Sequence, residues 1–559
     1  MTTPNYGKTE RLTVAQAVVR FIAAQYTVSD GVKRRFIPAS MGIFGHGNVA
    51  GLGQALDQYN DLLPFVQGRN EQGLVHAAVG FAKAQNRKQT LAVTASIGPG
   101  AMNMVTPAAL ATINRIPVLL LPGDSYTTRR QGPVLQQLEH PLGPDISVND
   151  AFRPISRYFD RITRPEQLLY SLPAAFRVLA NPVETGAVVI ALPQDLQSHA
   201  FDFPVEFFEE RIWKIRRPEP ARDDIAAVAA LIKSAKKPLI IAGGGVIYSE
   251  ARAELEALAN ATGIPVAETF GGKGAVQNAG PWHMMGLGLE GSPETNKLVA
   301  QADLILSVGT RLTDFATGSQ SMFQNPDVKF ASINITEHDA IKQGAVPVLG
   351  DAKISLAALK DAVAGYSIPA DWKSAIDAGN TIWAKQLADA INPDITFDKS
   401  TLPDSPDTNA VLTQGQLIGL MNEAHKSGDT IIAAAGGAPG RGAGGEPARA
   451  HRPALRGMDG AGQGQPPACR GRRGCTGAAA GLSGLKADVP PGPARSAQPK
   501  GPQVGGGLAP GSSGCAGFQS AANSGSTGSR VVLGSGASGW WWGAWPGSGA
   551  WGSTGCVAI

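Results

Sequence analysis

GRNEQGLVHAAVGFAKA, residues 68–84, followed after a short apolar run by SIGPGA at 96–101, decides how this chain folds. Leu74, Val75, Ala78, Val79 and Ala82 recur at the three- and four-residue spacing of one helical face, so a packed helix starts at Glu71 and carries that carboxylate in its first turn. Phe65–Gln67 in front of it reads as a strand end, and Leu91–Thr94 behind it as a buried strand that empties into the glycine loop. A further helix runs to about Asn114 and a further strand covers Pro117–Leu121. Alternation of strand and helix at these lengths predicts a parallel sheet covered by helices, an α/β fold.

The pattern extends both ways. Residues 12–26 place Val14, Ala17, Val18, Phe21 and Ile22 on one helical face, and a short apolar segment at Phe36–Ile37 leads into the glycine-rich GIFGHGNVAGLG of 42–53. After a linker around Pro193–Phe203 a second unit begins. Its strand KPLIIAGGGV (237–246) ends in three glycines, a helix is expected at about Glu250–Ala261, and strands near Pro265–Glu268, Leu304–Val308 and Lys329–Ile333. The triple glycine lacks the G-x-G-x-x-G spacing and has no acid placed to read a ribose, so a bound dinucleotide is not expected. A third unit starts at about Thr408 with the amphipathic TQGQLIGLMNEAH and the strand DTIIAAAGG of 429–437.

Near Gly440 the composition breaks. Residues 441–559 hold all four cysteines, five of nine tryptophans and 30 of 69 glycines, with only Glu446, Asp459 and Asp488 as acids. That tail carries 11 Lys+Arg against three acids, whereas the 440 residues before it carry 38 against 42. The body is therefore mildly acidic and offers no electrostatic footprint for nucleic acid. It has no cysteine, which points to a reducing compartment. The polar Met1–Glu10 lacks a signal-peptide core, and no apolar run reaches the roughly 18–20 residues of a membrane helix, so a cytoplasmic protein is expected.

GRNEQ with a helix behind it and SIGPGAMNM about 25 residues on resembles the thiamine-diphosphate enzymes of the acetolactate synthase and pyruvate decarboxylase type. The resemblance implies three doubly wound domains: a pyrimidine-binding domain over 1–190, a central Rossmann-like domain over 205–365, and the start of a diphosphate-binding domain at 405–440. It implies thiamine diphosphate and Mg2+ as cofactors. Glu71 is then the carboxylate that hydrogen-bonds the aminopyrimidine and promotes loss of the thiazolium proton, Gly98 and Gly100 let the backbone approach the cofactor, and His46 and Asn48 lie on a glycine loop that reaches the thiazolium and substrate. An imidazole at His46 can relay a proton. The same likeness places a substrate-facing glutamine at Gln136 or Gln137, just before Glu139 and His140. Arg153 and Arg157 suit either a carboxylate product or a structural ion pair. The phrases GIFGHGNVAGLG, NRIPVLLLPGD (114–124), VNDAFRPISRYFDRI (148–162) and LPQDLQ (192–197) narrow the resemblance to the ring-opening hydrolases of inositol catabolism. These act on a small-molecule cyclic polyol dione, as homodimers or homotetramers. An acetolactate-synthase-like carboligase and a non-catalytic relative are the alternatives.

The family holds magnesium and diphosphate with Gly-Asp-Gly and, about 25–30 residues later, Asn, because the cation takes hard oxygen ligands. Residues 441–559 contain no Gly-Asp-Gly, and their one Asn is Asn523; no metal ligand is assigned in this chain. Five tryptophans sit badly with ordinary disorder, and the cysteine spacing does not suit zinc. Runs such as RGRRG and WWWGAW are what GC-rich codons give one base out of step, so a reading-frame shift after about residue 440 is the expectation.

Overall fold

The computed structural model describes residues 7–392, apart from 131, 133, 139 and 144, together with residues 413–426. Two six-stranded parallel sheets organise them. The first comprises β1 (Ser40–Gly42), β2 (Phe65–Gln67), β3 (Ala92–Ala95), β4 (Val118–Asp124), β5 (Tyr158–Arg161) and β6 (Ala187–Pro193), in the order β2-β1-β3-β4-β6-β5. The second comprises β7 (Pro238–Ala242), β8 (Val266–Glu268), β9 (His283–Gly286), β10 (Leu304–Val308), β11 (Lys329–Asn334) and β12 (Val346–Leu349), in the order β9-β8-β7-β10-β11-β12. Every residue of β4, β6, β7 and β10 is buried, as parallel strands covered on both faces must be. Each sheet accordingly has two apolar clusters, one per face.

Each strand order has a reversal point beside its first strand. In the first sheet the reversal falls between β1 and β3; in the second it falls between β7 and β10, the 3-2-1-4-5-6 order of a doubly wound nucleotide fold. The triple glycine stands at that second reversal, but its use here is packing. A Cβ on Gly245 would sit 2.5 Å from the Cα of Gly309, and one on Gly243 would meet the Gly309 carbonyl at 2.5 Å. The loops after β7 and β10 can touch only because both lack side chains.

Several elements depart from the sequence reading. The first helix ends at Ala23 rather than continuing to Tyr26, and Gln25–Ser29 is a strand between Arg211–Lys214 and Val32–Arg35. Gln25, fully buried, donates to the Phe21 carbonyl at 2.7 Å and accepts from the Trp213 indole at 2.9 Å, which fixes the change of direction. The expected linker at 193–203 contains part of another strand, Ala200–Pro204, antiparallel to Thr9–Thr13. A 22-residue helix, Ala370–Ile391, follows the second sheet and anchors through buried Trp372, whose indole donates to the Pro238 carbonyl at 3.0 Å. The expected third-unit helix is present as Gln414–Ala424, opened by a capping box between Thr413 and Gln416. The expected strand at 429–437 and the tail 441–559 lie outside the described residues.

Candidate active site

Ligands of open parallel sheets bind outside the carboxyl ends of the strands where the order reverses. In the first sheet that crevice lies beyond β1 and β3, and the two glycine loops leave from those strand ends. They interlock. A Cβ on Gly45 would stand 2.6 Å from Ser96 Oγ, and one on Gly47 would stand 2.6 Å from the Ile97 amide nitrogen, while the Gly47 amide donates to Ser96 Oγ at 3.2 Å.

Glu71 opens the helix Glu71–Ala84, which Asn70 caps by accepting from the Gly73 amide at 2.8 Å. One carboxylate oxygen, Oε2, accepts from the Asn103 side-chain amide at 3.0 Å. The other, Oε1, faces Gly100, where a Cβ would sit only 3.1 Å away. Among the described residues Oε1 has no donor of its own. The arrangement is a carboxylate held on one side and left open on the other, beside a backbone stripped of side chain.

His46 is half-buried, and its Nε2 lies 3.0 Å from the Leu135 carbonyl oxygen. A carbonyl only accepts, so Nε2 carries a hydrogen, and Nδ1 is the ring nitrogen left to exchange a proton. Gly98 has φ +70°, and a Cβ there would collide with the Gln136 carbonyl oxygen at 1.9 Å. Gln136 itself has φ +62° and is exposed, and the Gln137 side-chain oxygen is buried without a partner. The structure thus brings Glu71, Gly98, Gly100, His46 and the backbone of Gln136 to one pair of loops. Glu139 lies outside the described residues.

Asn48 behaves differently from the cofactor contact expected of it. Its side chain is 2 % exposed; Oδ1 accepts from the Gly45 amide at 2.9 Å, and Nδ2 donates to the Ile43 carbonyl at 3.2 Å and Thr94 Oγ1 at 3.0 Å. All of its bonding goes inward, into holding the loop that presents His46. Arg153 pairs with Asp150 at 2.8 Å and stacks over Phe159, the structural alternative of its two readings.

Three residues escaped the sequence reading although each stands in a quoted motif. Asn103 holds Glu71. Buried Gln197 donates to the carbonyls of Gly47 and Leu192, both at 2.8 Å, and accepts from the Leu52 amide at 3.0 Å. Asp195 accepts from the amides of Thr127, Thr128 and Arg129 at 3.1, 2.8 and 3.0 Å and from the Thr128 hydroxyl at 2.7 Å. Burial pushes the Asp195 carboxyl up, but the Thr128 hydroxyl and these amides outweigh it and hold the group below its ordinary value. At its other end the same segment is tied by Arg161, which bonds buried Asp124 at 2.7 Å, Ser147 Oγ at 2.7 Å and the Asp145 carbonyl at 3.3 Å. The described residues of 125–147 are therefore a strap, pinned at both ends, in which Gln136 rests on Gly98 and Leu135 on His46.

Residues 41–144 match the family model for the N-terminal TPP binding domain of thiamine pyrophosphate enzymes, and residues 225–359 match that for their central domain. The chain is 45% identical over 444 residues to 3D-(3,5/4)-trihydroxycyclohexane-1,2-dione hydrolase 2 of Bacillus cereus, a match covering 78% of this chain and 69% of that one. It is 45% identical over 443 residues to 3D-(3,5/4)-trihydroxycyclohexane-1,2-dione hydrolase of Geobacillus thermodenitrificans, covering 77% and 68%, and 43% identical over 443 residues to that of Clostridium botulinum, covering 78% and 69%. The chain belongs to the thiamine pyrophosphate enzyme family. The relatives it matches at this level are trihydroxycyclohexane-dione hydrolases, and about three-tenths of each lies beyond the matched stretch.

The described residues fit one half of the family's cofactor. An open carboxylate oxygen facing a bare glycine suits the ring nitrogen of an aminopyrimidine. For the magnesium-diphosphate half, no group of three or more His, Cys, Asp or Glu side chains able to hold a metal occurs among the described residues.

Proposed function

We propose that this chain carries the pyrimidine-binding and central domains, over about 1–190 and 205–365, of a thiamine diphosphate-dependent hydrolase that opens a cyclic 1,2-diketone, trihydroxycyclohexane-1,2-dione, to 5-deoxy-glucuronate. The observation that carries this reading is Glu71: a carboxylate fixed by Asn103 and open at Oε1 in a chain whose matched relatives are named as hydrolases of that dione. Thiamine diphosphate, when bound, supplies the nucleophilic carbon that adds to one carbonyl of the dione.

The chain's own residues then do the following. Glu71 Oε1 would face the pyrimidine ring nitrogen and share a proton with it, favouring the imino tautomer that takes up the thiazolium proton, a positioned proton transfer of a kind that contributes about 10²–10⁴-fold. Gly98 and Gly100 allow the loop backbone to lie against the cofactor. His46, with Nε2 committed to Leu135, offers Nδ1 to accept a proton from water or substrate. Gln137, or Gln136 beside it, faces the substrate hydroxyls, and the orphaned Gln137 side-chain oxygen favours the former. A cytoplasmic homodimer or homotetramer is the expected state of the intact enzyme. Exposed Met102, Leu110 and Ile113, along one stretch beside the site, support subunit association there. No helix among the described residues is long and apolar enough to cross a membrane.

The tail is read as the product of a shifted frame. Its lack of Gly-Asp-Gly removes the Mg2+ and diphosphate clamp, so the chain as written is expected to be inactive. The assay that tests the function uses the gene with its frame restored, offering the cyclic dione and pyruvate separately. Ring opening of the dione, abolished by Glu71→Gln, is the expected result. Carboligation of pyruvate with no turnover of the dione would replace the hydrolase with an acetolactate-synthase-like enzyme.

A further inference from the structure

Away from the active site, the end of the Glu71–Ala84 helix and the loop after β7 enclose a cavity of about 50 Å³ between the two sheets' domains. Its charged lining is mostly cationic: Arg87, Lys88, Arg216 and Arg217, with Asp351 the one acid. Two of the cations are already matched. Arg217 bonds Asp30 at 2.7 Å and Asp351 at 3.0 Å, and Lys88 bonds Glu250 at 2.7 Å. Arg87 and Arg216 are not matched: among the described residues neither has a carboxylate partner.

Arg87 is the informative one. It sits at φ +62°, just past the helix end, with its guanidinium 3.9 Å above the centre of the Tyr248 ring and one N–H on the Arg115 carbonyl at 3.2 Å. Burial pulls its pKa down to about 10, and the neighbouring Arg115 adds to that. A guanidinium is charged throughout the physiological range, so the cost of desolvating it goes without the return a carboxylate would give. Tyr248 lines the same cavity, and its hydroxyl makes no protein hydrogen bond among the described residues. The groups around the space that lack a carboxylate partner or a hydrogen bond can thus all donate, and a space of that size holds a few waters or one small tetrahedral ion and no nucleotide.

We propose that this cavity is a binding site for a free inorganic oxyanion of phosphate size, held between Arg87 of the first domain and Arg216, which precedes β7 in the second. Bound there, the ion neutralises the two unmatched guanidiniums and ties the junction of the domains. Planar, bidentate recognition by arginine is the ordinary means of holding such a group. The proposal is independent of the assigned reaction.

The test is calorimetric titration of the full chain with inorganic phosphate at constant ionic strength, alongside thermal melting in phosphate against chloride. Sub-millimolar binding and a rise in melting temperature are expected, with affinity falling at least tenfold in both Arg87→Met and Arg216→Ala. Arg216 is exposed, so its variant tests the site even where Arg87→Met fails to fold. Absence of binding beyond the chloride control overturns the proposal. So does phosphate binding that Arg216→Ala leaves unchanged, which places the ion elsewhere.

Discussion

At the scale of single residues, the site depends on polar side chains that never face a ligand. Asn48 satisfies one amide, one carbonyl and one hydroxyl inside the His46 loop. Replacing it with Ala leaves buried partners unsatisfied, and losses of this kind cost about 1–3 kcal/mol. Asn48→Ala should therefore lower the urea midpoint without changing the slope of the transition; an unchanged midpoint would show that water replaces the amide. Glu71 was legible in the sequence because a first-turn acid on an amphipathic helix, spaced from a glycine loop, is a local pattern. The inward turn of Asn48 was not, since it depends on Thr94 arriving from the neighbouring strand 46 residues away. The same holds for Asn103, which finds Glu71 across 32 residues.

At the scale of elements, the strap formed by the described residues of 125–147 is what shapes the mouth of the site. Asp195 gathers three consecutive amides at its start, and Asp195→Ala should release them. Hydrogen exchange at Thr127, Thr128 and Arg129 is expected to accelerate while β4 stays protected; equal protection in both proteins would mean the strap is held from elsewhere. Gly98 allows the strap to lie flat. Gly98→Ala forces a side chain into a glycine-type conformation, about 1–3 kcal/mol of backbone strain, and drives a methyl into the Gln136 carbonyl. Its expected signature is a lower melting temperature together with proteolysis within the strap. The buried central strands were readable as apolar runs of the right length. Gln25–Ser29 and Ala200–Pro204 were not, because each is defined by a partner far along the chain.

At the scale of the whole described body, Arg217 joins three segments: Asp30 from before the first sheet, Ser249 after β7 and Asp351 after β12. The Arg217 hydrogen bond holds the Asp30 carboxyl down at about 2, from an ordinary value of 3.8. A depressed acid adds stability above its unfolded pKa and loses it as pH falls. The stability gap between the natural protein and Asp30→Asn should accordingly be constant above about pH 5 and shrink between about pH 4 and pH 2; a gap that does not vary with pH would remove this pair from the account. Calorimetry with Mg2+ and thiamine diphosphate probes the other half of the molecule. Binding weaker than about 1 mM is expected of the chain as written, and micromolar affinity would show that the tail supplies a clamp its sequence does not reveal.

The central claim is that residues up to about 440 are the matched portion of a dione hydrolase whose diphosphate domain is encoded out of frame. Resequencing the gene across the codons for Ala433–Gly445, and translating the other two frames, tests it directly. The expected result is a frame that continues with Gly-Asp-Gly and an Asn about 25–30 codons later, the ligand set magnesium requires. If neither frame contains them, the tail is genuine, and the chain is a relative that has lost the cofactor clamp.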